Sequence, residues 1–207
     1  MKKEKIQILY IHWGMTFENN KDYLFFLKNR DISLDEKISW NWNYLKNQLI
    51  NDCKIVKPRM PLQDNAKYSD WKILFERYLD ELDNDIILIW TSLGGIFLAK
   101  YLSENKINKN IISIYMICPP FDNSLTWEDL VWWFELKDDI SMIESNSNNI
   151  KLIFSEDDDV VPVSHADKYR KKLPHSEIII YESKNGHFKI QEFPEIITMI
   201  KKDITRV

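Results

Sequence analysis

The chain has 207 residues, 44% of them apolar and only four of them glycine; this suits a single folded domain with its own core and excludes a disordered or fibrous chain. A formal net charge of −4 offers no broad basic field to a phosphate backbone, so nucleic acid is not an expected partner. No run reaches the ~20 apolar residues of a membrane-spanning helix, so no membrane association is expected.

The chain opens with a basic stretch and then IQILYI (6–11), too short for a signal-peptide core and better read as a first strand. SLDEKISWNWNYLKNQLI (33–50) begins with a capping box, Ser33 and Glu36, and sets Ile38, Trp42, Leu45 and Leu49 at helical spacing. CKIVK (53–57) is strand-like and ends at Pro58 and Pro61. SDWKILFERYLDEL (69–82) repeats Trp71, Leu74, Tyr78 and Leu82 on one helical face, with Ser69 as its cap. Further strand-like runs are DIILIW (85–90), IISIYMIC (111–118), IKLIF (150–154) and SEIIIYE (176–182). Helices are expected after Gly95, across 164–172, and from Pro194 to about Lys201.

Nearly continuous apolar strands alternating with helices predict an α/β fold, a three-layer, doubly wound and mostly parallel sheet in one domain over 1–207. The irregular segment 121–149 carries Trp127, Trp132, Trp133 and Phe134; it reads either as a packing excursion or as a lid over a pocket.

Within DIILIWTSLGGIFLAKYL, Ser92 stands between a buried strand and a buried helix. In an open parallel sheet the carboxyl ends of the strands form the ligand-binding edge. A tight turn there holds a serine hydroxyl clear of the backbone, and the following helix offers unpaired N–H groups to a developing oxyanion. Gly94 and Gly95 suit such a turn, because a side chain would obstruct close helix–strand packing.

A serine hydroxyl needs a base, and the base needs an acid to orient it. His187, in KNGHF after the last strand-like run, is the favoured base; His12 follows the first strand, and His165 and His175 flank a polar helix and are expected to face solvent. Acid candidates lie in FSEDDDVVP, directly after a strand. Cys53 and Cys118 form no metal or redox spacing and are expected to be reduced core thiols in a cytoplasmic protein.

The order Ser…Asp…His on a strand–serine–helix turn resembles the α/β-hydrolase fold. SLGG, then DDVVP, then GHF is similar to its small, nearly lidless members of the retinoblastoma-binding-protein-9 type, over essentially the whole chain. The resemblance implies Ser92 as nucleophile, His187 as base and, four residues before the proline of D-x-x-V-P, Asp158 as the acid. It implies an oxyanion hole from the backbone N–H of Leu93 and that of Gly14 or Met15. The implied activity is that of a carboxylesterase-like serine hydrolase with a minimal lid, acting on a small-molecule acyl substrate through an acyl-enzyme. No cofactor or metal ion is expected, and no protein partner is indicated.

His12, Trp13, Trp90, Thr91 and Trp127 are the expected pocket residues. Trp13 and Trp90 stand where the family pattern has glycine, and Thr91 where it commonly has histidine. The tryptophans either narrow the acyl pocket, plug it and leave a ligand- or partner-binding module, mark a remodelled site, or pack into the core.

Overall fold

The computed structural model describes residues 5–34, 39–126 and 128–206. The strands are β1 (Ile6–Ile11), β2 (Cys53–Val56), β3 (Asp85–Thr91), β4 (Asn110–Ile117), β5 (Ile150–Ser155) and β6 (Glu177–Tyr181). They form one sheet in the order β2-β1-β3-β4-β5-β6, every pairing parallel. The helices are α1 (Asn20–Asn29), α2 (Leu45–Leu49), α3 (Tyr68–Glu81), α4 (Leu93–Glu104), α5 (Val131–Phe134), α6 (Met142–Asn146), α7 (Ser164–Lys172) and α8 (Pro194–Ile204).

Strand alternation sorts the core into two layers. Leu88, Trp90, Met116 and Leu152 face Trp71 and Phe75 of α3, Phe97 of α4 and Tyr169 of α7. Ile87, Ile89, Tyr115 and Ile153 face Trp40, Leu45 and Leu49 on one side and Ile196 and Ile200 of α8 on the other. The central strands are covered on both faces, which is why they read as unbroken apolar runs. The chain leaves β1 for β2 on one side and returns to β3 on the other, so the edge beyond β1 and β3 is a topological switch point.

Several elements differ from expectation. Ser33 is not helical; a π turn over Trp40–Tyr44 leads into α2, while Glu36 and Ile38 lie outside the described residues. The wider π turn rotates the buried face, so Trp40 is 1% exposed and Trp42 38%. In α3 the buried stripe is Trp71, Phe75 and Leu79, Lys67 occupies the N-cap, and the Ser69 hydroxyl donates to Asp70 instead of capping. α1 has no core-facing stripe, buries nothing, and starts where the Asn19 side chain accepts the Asp22 N–H at 3.0 Å. Segment 121–149 contains α5 and α6 and buries Leu130, Val131, Phe134, Ile140 and Ile143.

Candidate active site

Ser92 follows β3 at φ 53°, ψ −124°, a conformation L-residues rarely adopt. Its N–H donates to the Ile117 carbonyl of β4 at 2.9 Å, and its carbonyl accepts the Gly95 N–H at 2.7 Å, so α4 starts on the serine itself. A Cβ on Gly94 would lie 2.8 Å from the His12 carbonyl oxygen, and one on Gly95 would lie 2.7 Å from Pro119 Cβ. The two glycines therefore set how closely α4 crosses the ends of β1 and β4. Among the described residues the Leu93 amide has no hydrogen-bond acceptor, which leaves it open at the helix start.

The three consecutive aspartates after β5 do three different jobs on the His187 loop. Asp157 accepts the hydroxyls of Ser155 and Ser183 and the N–H groups of Gly186 and Lys184, and these bonds hold its carboxyl well below the usual carboxylate range. Asp159 pairs with Lys189 at 2.7 Å. It also packs against Gly186, whose φ of 70° and a Cβ position 3.0 Å from Asp159 Oδ1 make glycine the fitting residue. Asp158, its side chain 1% exposed, takes the N–H groups of Val160 and Val161 at 2.9 Å and meets His187 Nδ1 with both oxygens, at 2.9 and 2.8 Å.

The far nitrogen of that ring, Nε2, faces Cys118 Sγ at 3.8 Å. Cys118 directly follows β4 with φ 43°, a second strained position beside Ser92. Burial pushes the Cys118 thiol up, with His187 opposing the shift. Burial pulls the His187 ring down, but Cys118 and Asp158 outweigh it and hold the imidazole well above its ordinary value. Asp158 adds both its hydrogen bond and its negative charge to the effect of Cys118. Glu128, in the 121–149 segment, is raised to about 7 by burial, with His187 opposing and Asp158 reinforcing the shift.

Ser92, Cys118 and His187 line one cavity of about 40 Å³, together with Trp13, Trp40 and Thr91. The structure thus brings the expected nucleophile and base to one chamber and sets the expected acid behind the base. Among the described residues, no hydrogen bond joins Ser92 Oγ to His187. Ligand atoms of Cys118, Asp158 and His187 lie within 4.8 Å of one another, a spacing open to a thiophilic cation, although Asp158 is already occupied by the ring and two amides.

Other expected residues sit differently. Trp90 does not line the cavity: alternation along β3 turns it to the opposite face, where it is fully buried and stacks on Phe97 at 5.0 Å with Phe75 edge-on. Among the described residues its indole N–H has no acceptor. Met15 is not an open oxyanion donor, because its N–H is spent on the Gln63 carbonyl at 2.9 Å; the amides of Trp13 and Gly14 carry no hydrogen bond among the described residues. His12 does not face Ser92 either. Its Nδ1–H donates to the Trp13 carbonyl at 2.6 Å and its Nε2 accepts the Met60 N–H at 3.1 Å, a neutral clamp whose burial lowers its basicity. His165 is buried rather than solvent-facing, taking the Phe121 N–H on Nδ1 and donating to the Ser124 carbonyl. Thr91 and Trp13 do line the cavity, Thr91 sharing a 3.2 Å hydrogen bond with Tyr10 and Trp13 lying 42% exposed. Trp127 lies outside the described residues.

Cys118, Trp40 and Glu128 were not anticipated. Position alone could have flagged Cys118, since it directly follows a strand at the same sheet edge as Ser92 and precedes Pro119-Pro120.

A family model described as serine hydrolase matches residues 37–200. Among curated proteins no sequence matches the chain. Solved structures share the fold. The ydeN gene product of Bacillus subtilis superposes with a TM-score of 0.76 at 17% identity, over 97% of this chain and 100% of that one. A carboxylesterase of the thaumarchaeon Nitrososphaera gargenis gives 0.62 at 13% identity, over 98% and 92%. The Pyrococcus furiosus esterase Pf2001 gives 0.57 at 14% identity, over 98% and 83%.

Proposed function

The chain belongs to the serine hydrolase family, and from that premise we propose that it hydrolyses carboxylic esters through an acyl-enzyme on Ser92. The observation that carries this reading is the Asp158–His187 pair opening onto the cavity that holds a strained serine at the β3–α4 turn. Ser92 Oγ attacks the ester carbonyl carbon and its proton passes to His187 Nε2. The resulting oxyanion lies against the Leu93 amide and the open amides of Trp13 and Gly14. The imidazolium then protonates the departing alcohol. A water molecule, deprotonated by the same nitrogen, releases the acid and restores the serine. Asp158 fixes the Nδ1–H tautomer throughout.

In the resting arrangement Nε2 rests against Cys118 rather than the serine hydroxyl. The ring therefore turns from thiol to alcohol when substrate binds, pivoting on a carboxylate that already meets Nδ1 with both oxygens. Unliganded sites commonly have such loose catalytic hydrogen bonds. The SLGG, DDVVP and GHF motifs support the narrower likeness to retinoblastoma-binding-protein-9-type hydrolases. Two free, buried cysteines support a reducing, cytoplasmic compartment, and no helix among the described residues is long and apolar enough to cross a membrane.

Ser92→Ala should abolish both turnover of 4-nitrophenyl acetate and labelling by a fluorophosphonate probe; unchanged turnover ends the proposal. A ligand-binding module is the second reading, favoured by the 40 Å³ cavity and the His187–Cys118 contact. A folded wild-type protein that takes no probe would support it.

A further inference from the structure

A larger cleft of about 560 Å³ lies beside the Ser92 cavity. The two have no lining residue in common, but neighbouring residues of the same two segments line them. The turn at Trp40–Tyr44 gives Trp40 and Asn41 to the Ser92 cavity and Trp42 and Asn43 to the cleft. The exit from β1 gives Trp13 to the first and His12 to the second. A void of 40 Å³ holds a few water molecules but no acyl chain, so a chain attached to the reacting carbonyl has to continue outward.

The cleft is cationic. Lys57 and Arg59 line it, on the segment that His12 clamps through the Met60 amide. The Lys57 ammonium lies 4.8 Å from the Tyr10 ring centre and 5.1 Å from that of Trp42, with the Asn41 carbonyl at 3.5 Å. Among the described residues neither Lys57 nor Arg59 pairs with a carboxylate, and no carboxylate lines the cleft. The nearby Asp64 is engaged by Arg30 at 2.9 Å. Burial pushes the Lys57 amine down to about 8. A half-buried cation caged by aromatic rings, with no counter-charge among the described residues, is costly by itself and is stabilised once an anion arrives.

We propose that this cleft binds a carboxylate at the far end of the substrate's acyl chain, so that the preferred esters are half-esters of dicarboxylic acids. The proposal rests on the hydrolase reading and names its substrate class. Lys57 supplies the point charge, Arg59 a second donor at the rim, and Trp42 the wall along which the methylene chain lies.

The test compares kcat/KM for 4-nitrophenyl hydrogen glutarate and 4-nitrophenyl butyrate at low ionic strength. The expected result is a preference of about tenfold or more for the anionic ester, shrinking as salt is added. The ratio should collapse towards one in Lys57→Met and fall in Arg59→Gln; the latter is an exposed position, so this arm survives if Lys57→Met does not fold. Equal kcat/KM for the two esters in wild type overturns the proposal and leaves the hydrolase reading intact. Should neither ester be turned over, glutarate titrated against intrinsic tryptophan fluorescence decides the cleft separately. Saturable binding lost in Lys57→Met upholds the anion site while the hydrolase reading falls, and absence of binding sinks the site.

Discussion

Replacing Asp158 by Asn separates the chemistry from the fold. The asparagine oxygen can still accept the Val160 and Val161 amides, so the turn after β5 keeps its backbone contacts. What is lost is the charge facing His187 Nδ1, at 2.8 Å in a site where the carboxylate side chain is 1% exposed. An asparagine amide opposite Nδ1 favours the wrong tautomer and presents an N–H, not a lone pair, towards Ser92. In a serine triad that change costs on the order of 10⁴ in kcat. The charge-assisted bond itself is worth about 2 kcal/mol, roughly 4–8 °C in Tm for a domain of this size.

The stability effect also carries a pH signature. His187 is raised in the folded state, so its contribution is fully present below the unfolded value of about 6.5 and is lost as pH rises through the folded value. The Tm gap between wild type and Asp158→Asn should therefore be widest near about pH 6 and shrink in alkali. Differential scanning fluorimetry across pH, beside 4-nitrophenyl acetate turnover, measures both. A variant within tenfold of wild-type kcat, or a Tm gap that widens with pH, refutes the assignment of Asp158.

Wild-type kcat/KM should climb with pH along a limb centred above the ordinary imidazole value, since only neutral His187 can take the serine proton; a limb below that value contradicts the raised ring. Glu128→Gln removes a carboxyl that titrates at about 7 and favours the imidazolium once ionised, so the limb should move to lower pH, and an unmoved limb would show that the two do not communicate. Gly94→Ala drives a methyl to 2.8 Å from the His12 carbonyl; it should cost about 1–3 kcal/mol and slow fluorophosphonate labelling, whereas wild-type Tm and labelling would mean α4 crosses β1 less tightly. Ser92→Gly should be inactive yet more stable by about 1 kcal/mol, because glycine accepts φ 53° without strain; a lower Tm would argue against a strained serine.

The strands were legible to within a residue at each end because an apolar run marks each one: β1 runs Ile6–Ile11 as its run indicates, and among the helices α7 spans 164–172 as expected. The residues alone left the acid open among three aspartates; the family resemblance, through D-x-x-V-P, implied Asp158, and the structure sets that residue against the histidine. What sequence did not reveal depends on partners distant along the chain. Trp90 looked like a pocket residue because the turn pattern draws attention to it. Its face is set by β3 alternation, and its room is made by Phe75 and Phe97. The Met15 amide looked available until the 62–66 turn supplied Gln63 as its acceptor. His165 reads as surface in a polar helix, and only the returning 121–124 loop buries it. The π turn at Trp40 has no periodic signature, because its single wide turn is what breaks the period.

The small chamber at Ser92 also governs the second half of a turnover. Once the serine is esterified, the incoming water and the bound acid compete for the same few places, and Trp13, 42% exposed, is the chamber's most exposed wall and so its readiest doorway for solvent. Compact acids leave that doorway open and clear at once. Bulky ones close it behind them, so they should accumulate on the protein and announce themselves as a burst of released alcohol followed by a slow steady phase.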